Sequence, residues 1–277
     1  MNWTPESDDE IIKVYQSRAD KPYAYHFHNA YELILVVEGS ADFAVNDYGR
    51  EYGKNHIIFI SNLEKHQMRP IRTPYIRYVL MVDPDLFDRS VTVQPCRAIF
   101  KQRPDSFRHG IPLDDETAAR CRAVFESCIA EYDAKAPYYR EVILARVQEM
   151  LILLYRSHSE YFPAGISPYN EEMVSAIQAY IDSRYSSELD LEEISAHFHL
   201  NKFHLIRIFR QVTGYTVKQY ILLKRISHAK SLLYYSNRDV AQIAAESGFN
   251  SSSNFIRAFK SAEGVTPLAF RKLNLHE

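Results

Sequence analysis

Short apolar runs recur through the first third of the chain, at 32–37, 41–45, 57–60 and 76–82. Turn signals separate them: Glu38-Gly39-Ser40, Asn46-Asp47-Tyr48-Gly49, Ser61-Asn62 and Arg72-Thr73-Pro74. Short apolar runs spaced by Gly, Pro and Asn predict strands, so residues 11 to about 100 read as an all-β sandwich or barrel. The period then changes. Cys121, Val124, Phe125, Cys128, Ile129 and Tyr132 form one stripe at helical spacing, and Asp114, Asp115 and Glu116 stand at its start, where the helix dipole favours negative charge. Pro137 opens a second helix whose apolar residues, from Val142 to Tyr155, cover more than one face. That excess predicts two packing surfaces: the helix's own domain and a second copy of the chain. Residues 157–170 hold two prolines, a glycine and three serines and read as an interdomain linker. Everything beyond is helical in pattern, with turns at Gly214, Ser236-Asn237, Gly248 and 264–267.

The last hundred residues contain a repeat. Asp190, Leu191, Ile194 and Leu200 match Asp239, Val240, Ile243 and Phe249; one residue is then inserted, and Leu205, Arg207, Phe209, Arg210 and Gly214 match Phe255, Arg257, Phe259, Lys260 and Gly264. An insertion confined to the turn is expected of two copies of one helix–turn–helix. Asp190 with Glu193, and Asp239 with Gln242, fit the capping box with Asp as the cap. Gly248 suits a left-handed helix end, a place held less comfortably by His199 in the first copy.

Composition narrows the class. Of 277 residues, 46% are apolar and 25% charged, which is globular. Three cysteines without a CxxC exclude a disulfide framework or a cysteine zinc site and fit a reducing cytosol. The acidic, polar first ten residues do not read as a signal peptide, and no apolar run of membrane-spanning length occurs, so a cytoplasmic protein is expected. The net charge of −2 hides an asymmetry: residues 197–275 carry twelve Lys and Arg against three acids. A basic module on an acidic carrier is the electrostatic footprint of a polyanion binder.

The stretch NKFHLIRIFRQVTG, then Tyr220 and KRISHAKSLL, then DVAQIAAESGFNSSSNFIRAFKSAEGVTPLAFR, resembles the DNA-binding domain of AraC-family transcription regulators over about residues 171–273. Ile243-Ala244, Gly248-Phe249, Phe259-Lys260, Gly264 to Pro267 and Arg271 all fall in register. The resemblance implies two helix–turn–helix units joined by a long helix, about 217–234, each putting its second helix into the major groove. On it, Phe203, Ile206 and Arg207 occupy base-facing positions in the first unit, and Ser252, Ser253, Asn254, Ile256 and Arg257 in the second. Arg207 and Arg257 are the candidates for guanine O6 and N7, with a phosphate contact as the alternative. Ile206 departs from the polar residue often found there. Lys202, Arg210, Lys218 and Lys260 are expected at phosphates, and Leu205, Ile208, Phe209, Phe255 and Phe259 in the core.

Near the N-terminus, His26-x-His28-x-x-x-Glu32 followed by Gly39 is similar to the first metal motif of cupins, and His66 stands where a cupin's later histidine would. Histidines two apart on a strand point to the same side, and three imidazoles with a carboxylate suit a divalent metal. AraC-family N-terminal domains are themselves cupin-like and usually bind small molecules without metal. Asn55-His56 replaces their Gly-Asp. Two readings stand: a small-ligand pocket lined by His26, His28, Tyr31, Glu32, His66 and Arg77 with no cofactor, or a metal held by His26, His28, Glu32 and His66. The expected fold is α+β and multidomain: a cupin-like barrel sensing a carbohydrate or other polar metabolite (1–112), a helical dimerisation segment (113–160), a linker (161–170) and an all-α DNA-binding domain of two helix–turn–helix units (171–277). Double-stranded DNA, an effector, a second copy and RNA polymerase are the implied partners. The rival is a metal-dependent cupin enzyme fused to a DNA-binding module; no nucleophile motif or phosphate loop supports other catalysis.

Overall fold

The computed structural model describes residues 12–46, 48–104, 107–163 and 167–274. The acidic N-terminal stretch, Asp47 of the second turn signal, residues 164–166 of the expected linker and the last three residues lie outside them. The chain divides into two compact units, one of residues 7–101 and 105–164, the other chiefly of residues 165–277 with 102–104.

In the first unit, β1 (Ile12–Ala19), β2 (Tyr23–His26), β3 (Tyr31–Val45), β4 (Tyr48–Gly53), β5 (His56–Ile60), β6 (His66–Val82) and β7 (Gly110–Pro112) form one antiparallel sheet in the order β1-β6-β3-β5-β7, with β2 added to β6 and β4 to β3. Two of the expected turns are not reversals. Glu38-Gly39-Ser40 lies inside β3 and Arg72-Thr73-Pro74 inside β6, and the register between these strands shifts there. Such irregularities bend a sheet and let one long strand serve two parts of it. Gly39 is required at the bend: its φ is +74°, and a Cβ there would sit 2.2 Å from the Arg72 carbonyl oxygen and 2.4 Å from that of Pro74. The same residue types signal a bend and a turn, so the sequence pattern reads one for the other.

Side chains alternate across the sheet. One face carries Val14, Tyr31, Leu33, Leu35, Tyr78, Leu80 and Val82 into an apolar cluster under helices. The other carries Tyr15, Glu32, Tyr75 and Arg77, as the registers Tyr15↔Val79 and Glu32↔Met81 require. The β reading to about residue 100 is corrected by two helices, α1 (Pro84–Ser90) and α2 (Gln94–Lys101). Asp83 accepts a hydrogen bond from the Leu86 N–H at 3.0 Å, and Pro84 fills the first position, where its missing N–H costs nothing. The two expected helices follow as α3 (Asp115–Ala134) and α4 (Tyr139–Ser157). They pack on the helix-side face, so residues 113–160 belong to the barrel's own unit.

The second unit is all helical: α5 (Pro168–Arg184), α6 (Leu191–His197), α7 (Lys202–Thr213), α8 (Val217–Tyr235), α9 (Val240–Glu246), α10 (Ser252–Glu263) and α11 (Pro267–Asn274). The repeat is realised as α6–α7 and α9–α10. Asp239 and Gln242 form the reciprocal capping box. Asp190 accepts from the Glu193 N–H, but the Glu193 side chain turns instead to the Tyr180 hydroxyl at 3.0 Å. Gly248 has φ +82°, and His199 sits at the matching place with φ +52°. Among the described residues no helix is long and apolar enough to cross a membrane.

Candidate ligand site and nucleic-acid interface

In the barrel unit, the bend of β3 and β6 brings residues from β2, the β2–β3 connection, β3 and the start of β6 together. The Glu32 Oε2 atom lies 3.2 Å from His28 Nε2 and 3.4 Å from His66 Nε2. All three residues are buried. Burial alone would raise the Glu32 pKa, but the hydrogen bonds and charge of His28 and His66 overcome it and hold the carboxyl well below the usual carboxylate range. His26 joins them, its ring centroid 4.2 Å from that of His66. Ligand nitrogens of His26, His28 and His66 all lie within 4.8 Å of one another.

The proton arrangement is constrained. His66 Nδ1–H donates to the Glu64 carbonyl at 2.8 Å, since a carbonyl only accepts. In neutral His66 the Nε2 lone pair then faces the Glu32 carboxylate, acceptor against acceptor. Either a proton on Nε2 or a bound cation removes that clash. The three imidazoles of His26, His28 and His66 therefore fit a borderline-soft divalent metal, which would supply a fixed positive charge and a Lewis acid beside the Glu32 carboxylate.

Tyr31 is not brought to this cluster. It stands next to Glu32 on the strand and so points to the opposite face, stacked on Phe100 at 4.9 Å and edge-on to Phe87 at 5.5 Å. Arg77 does face the ligand side, 7% exposed, with its guanidinium 5.1 Å from the Tyr23 ring and 5.6 Å from the Tyr75 ring. Tyr15, Tyr23 and Tyr75 are site neighbours that the sequence reading missed. The signal was present in the alternation of Lys13, Tyr15 and Ser17 with Ile12 and Val14, but polar residues on a strand ordinarily mark solvent, not a barrel interior.

In the helical unit, each second helix of the repeat has an apolar and an open face. In α7, Leu205, Ile208, Phe209 and Val212 are buried; in α10, Phe255 and Phe259 are. Asn201 and Ser251 cap the two starts, accepting from the Phe203 and Asn254 N–H groups, and Gly214 and Gly264 end them in left-handed conformation. Phe203 is 80% exposed, and Arg207, Arg210, Ser253, Asn254, Ile256, Arg257 and Lys260 are also exposed, while Ile206 and Ser252 are half-buried. Arg207 Nη2 reaches back to His204 Nδ1 at 3.0 Å, and Arg257 Nη2 donates to Asn254 Oδ1 at 2.9 Å. Each arginine is steadied by the residue one turn before it, in both copies. Lys202 is paired with Glu192 of α6.

The basic excess divides by role. Arg225 donates to the Tyr185 and Ser187 carbonyls, and Arg271 to those of Leu233 and Arg238. Lys224 pairs with Asp182, Arg238 with Glu246, and Lys230 with Glu263. The exposed remainder that a polyanion can meet includes Arg207, Arg210, Lys218, Arg257, Lys260 and Lys272.

Known proteins share both halves of this layout. The family described as AraC-like ligand binding domain matches residues 12–148, and a family of helix-turn-helix domains matches 194–273. The chain is 23% identical to the melibiose operon regulatory protein of Escherichia coli over 90% of its own length and 83% of the relative's. It is 24% identical to the HTH-type transcriptional activator RhaR of Shigella flexneri, over 97% and 94%. Among solved structures, ToxT from Vibrio cholerae matches with a TM-score of 0.64 at 18% identity, covering 95% of this chain and 98% of that one, which shows a shared fold.

Proposed function

The chain belongs to the AraC family of transcription regulators, and from that premise we propose that its barrel senses a carbohydrate or other polar metabolite held by His26, His28, Glu32, His66 and Arg77. It is a DNA-binding transcription regulator with a ligand-binding domain and a helix–turn–helix domain. The observation that carries the ligand reading is the buried carboxylate shared by two imidazoles. An ionised Glu accepts hydroxyl protons, and imidazoles both donate and accept, which is what a hydroxyl-rich ligand needs. The name of the Escherichia coli relative points to sugar operons, in keeping with this.

Helices α7 and α10 enter successive major grooves, about 34 Å apart. Arg207 and Arg257 read guanine edges, Ile206 and Ile256 touch thymine methyls or sugar, and Phe203, Ser252, Ser253 and Asn254 lie against the bases or backbone nearby. Lys202, Arg210 and Lys260 meet phosphates, Lys202 by leaving Glu192. The chain acts as a homodimer through the outer face of α3 and α4, where a cleft of about 460 Å³ is lined in part by Arg120, Ala123, Val124, Glu149, Leu153 and Arg156. Apolar residues rimmed by both signs of charge suit a self-complementary contact. Effector binding favours one arrangement of the DNA-binding units, and RNA polymerase is the partner through which that arrangement acts.

The experiment is genome-wide DNA occupancy of the full-length protein with and without sugars that raise its unfolding temperature. Effector-dependent occupancy is expected; occupancy indifferent to every stabilising compound would overturn ligand sensing. The histidine triad favours one rival, a metal-dependent reaction in the barrel. Stoichiometric metal on the purified protein, lost in His28→Ala together with turnover of a bound substrate, would establish it.

A further inference from the structure

Arg77 is a buried cation without an anion. Guanidinium stays charged in proteins, and buried charges are ordinarily paired. Yet Arg77 makes no ion pair among the described residues, and its Nε is buried with no hydrogen-bond partner. The side chains that touch it are tyrosines: the rings of Tyr23 and Tyr75 flank it, the Tyr75 hydroxyl is its hydrogen-bond neighbour, and the Glu32 carboxylate acts on Tyr15 and Tyr75 without forming an ion pair with Arg77. Cation–π contact tempers the charge but does not neutralise it. Burial pushes the Tyr75 hydroxyl up to about 12, with Arg77 pulling the other way, and raises that of Tyr15 as well, so the Tyr15 and Tyr75 phenols stay protonated and are donors at neutral pH.

The strand registers give the spacing. Glu32 sits in the Met81 row of the sheet, Tyr15 in the Val79 row, and Arg77 is one row further on, all on the same face. Four residues of β6 separate the outer rows, about 13 Å between Cα atoms. At one end Glu32, against His28 and His66, presents a hydrogen-bond acceptor. At the other, the Arg77 guanidinium is a planar fork of N–H donors beside the Tyr75 hydroxyl, the geometry that recognises carboxylate or phosphate.

We propose that the effector is an acidic sugar-sized molecule whose carboxylate or phosphate docks on Arg77 while its hydroxyls reach Glu32 and the histidines. This rests on the ligand-sensing reading above and narrows it: a neutral sugar would leave the guanidinium uncompensated. Removing that mismatch makes acid binding the event that stabilises one state of the barrel.

The test is calorimetric binding and thermal unfolding of the full-length protein with D-galacturonate and D-glucuronate, with D-glucose 6-phosphate, and with D-galactose and D-glucose, on wild type, Arg77→Gln and Arg77→Lys. A uronate or the sugar phosphate should bind wild type at least about tenfold tighter than the neutral sugar, the better arm identifying the acid group. Binding should weaken by about 10–100-fold in Arg77→Gln, the range expected for a lost charge-assisted hydrogen bond, and less in Arg77→Lys. Without ligand, Arg77→Gln should unfold at a higher temperature than wild type, because an unpaired buried charge is gone. A lower midpoint would make Arg77 a structural residue and overturn the proposal. A neutral sugar that binds wild type and Arg77→Gln alike would overturn the acidic class and leave the sensing barrel standing. No binding from any arm to folded wild type overturns the proposal as well.

Discussion

Glu263→Gln tests how the second recognition helix is held to the rest of the DNA-binding unit. Glu263 ends α10, and its Oε1 accepts a hydrogen bond from Lys230 Nζ of α8 at 3.1 Å, both side chains 4% exposed. Lys230 also lies 5.8 Å from the Phe270 ring of α11. Burial holds the Lys230 pKa below the ordinary lysine value, with Glu263 pulling it back up. At an effective dielectric of about 20, the pair attracts by about 5 kcal/mol. Removing the carboxylate cannot cost more than folding with a neutral lysine, which is about 5 kcal/mol at pH 7 and about 2 kcal/mol at pH 9 for an unfolded pKa of about 10.4. The sign follows from linkage: a depressed lysine binds fewer protons folded than unfolded, so its burden eases as pH rises toward the unfolded value. Glu263→Gln should therefore cost about 3–5 kcal/mol at pH 7 and about 2 kcal/mol at pH 9. Hydrogen exchange read on peptides from α8 and α10 isolates this unit from the barrel. The double variant Lys230→Met, Glu263→Leu should return to within about 1 kcal/mol of wild type, since an apolar pair of similar size carries no desolvation cost. A cost under about 1 kcal/mol at pH 7, or the same cost at both pH values, would refute the reasoning.

Three further outcomes follow from the site geometry. Glu32 is ionised in the folded state well below its unfolded value of about 4.3, so its stabilisation is complete above that value and lost as pH falls through the folded one; the difference in unfolding free energy between wild type and Glu32→Gln should shrink steadily below about pH 4, and a pH-independent difference contradicts the assignment. Leu151 and Leu154 are fully buried in the barrel's own core, so Leu151→Glu should unfold that unit by circular dichroism, whereas Leu153→Glu, half-exposed at the α3–α4 cleft, should leave it folded and monomeric by sedimentation; a folded dimer removes this face from the interface. Arg207→Ala and Arg257→Ala should each relax base preference in one half of a bipartite site at a cost of about 1–3 kcal/mol in randomised-site selection, and loss at the same positions for both contradicts the two-groove arrangement.

Much of the DNA-binding unit was legible because its determinants are local. Asn201, Ser251 and Asp239 cap helices from two or three residues away, Gly214 and Gly264 end α7 and α10, and the apolar stripes of those two helices have one period. The duplicated pattern doubled the signal, and a sequence comparison within the chain found the unit without any knowledge of its contacts. Even there, charge was readable only as a total. Arg207 and Arg225 are the same residue type on helices, but one stands open and the other holds the Tyr185 and Ser187 carbonyls, a distinction set by residues about forty positions away.

The barrel's site was half legible. His26, His28, Glu32 and His66 do converge, though not by the two-residue alternation of one strand: β2 ends at His26, so His28 arrives from the β2–β3 connection, and His66 comes opposite His26 across the β2–β6 pairing. Gly39 and Pro74 read as turns because a chain signal for a bend does not say whether the strand continues; only the pairing of β3 with β6 across both segments decides that. Adjacent Tyr31 and Glu32 look alike as ligand candidates in sequence, yet a one-residue step on a strand moves a side chain through the sheet. Which face is lined by helices and which by Arg77 and its tyrosines depends on where residues more than forty positions apart pack. Periodicity defines two faces, and only the long-range packing of the folded chain decides which of them is dry apolar core and which is a polar site.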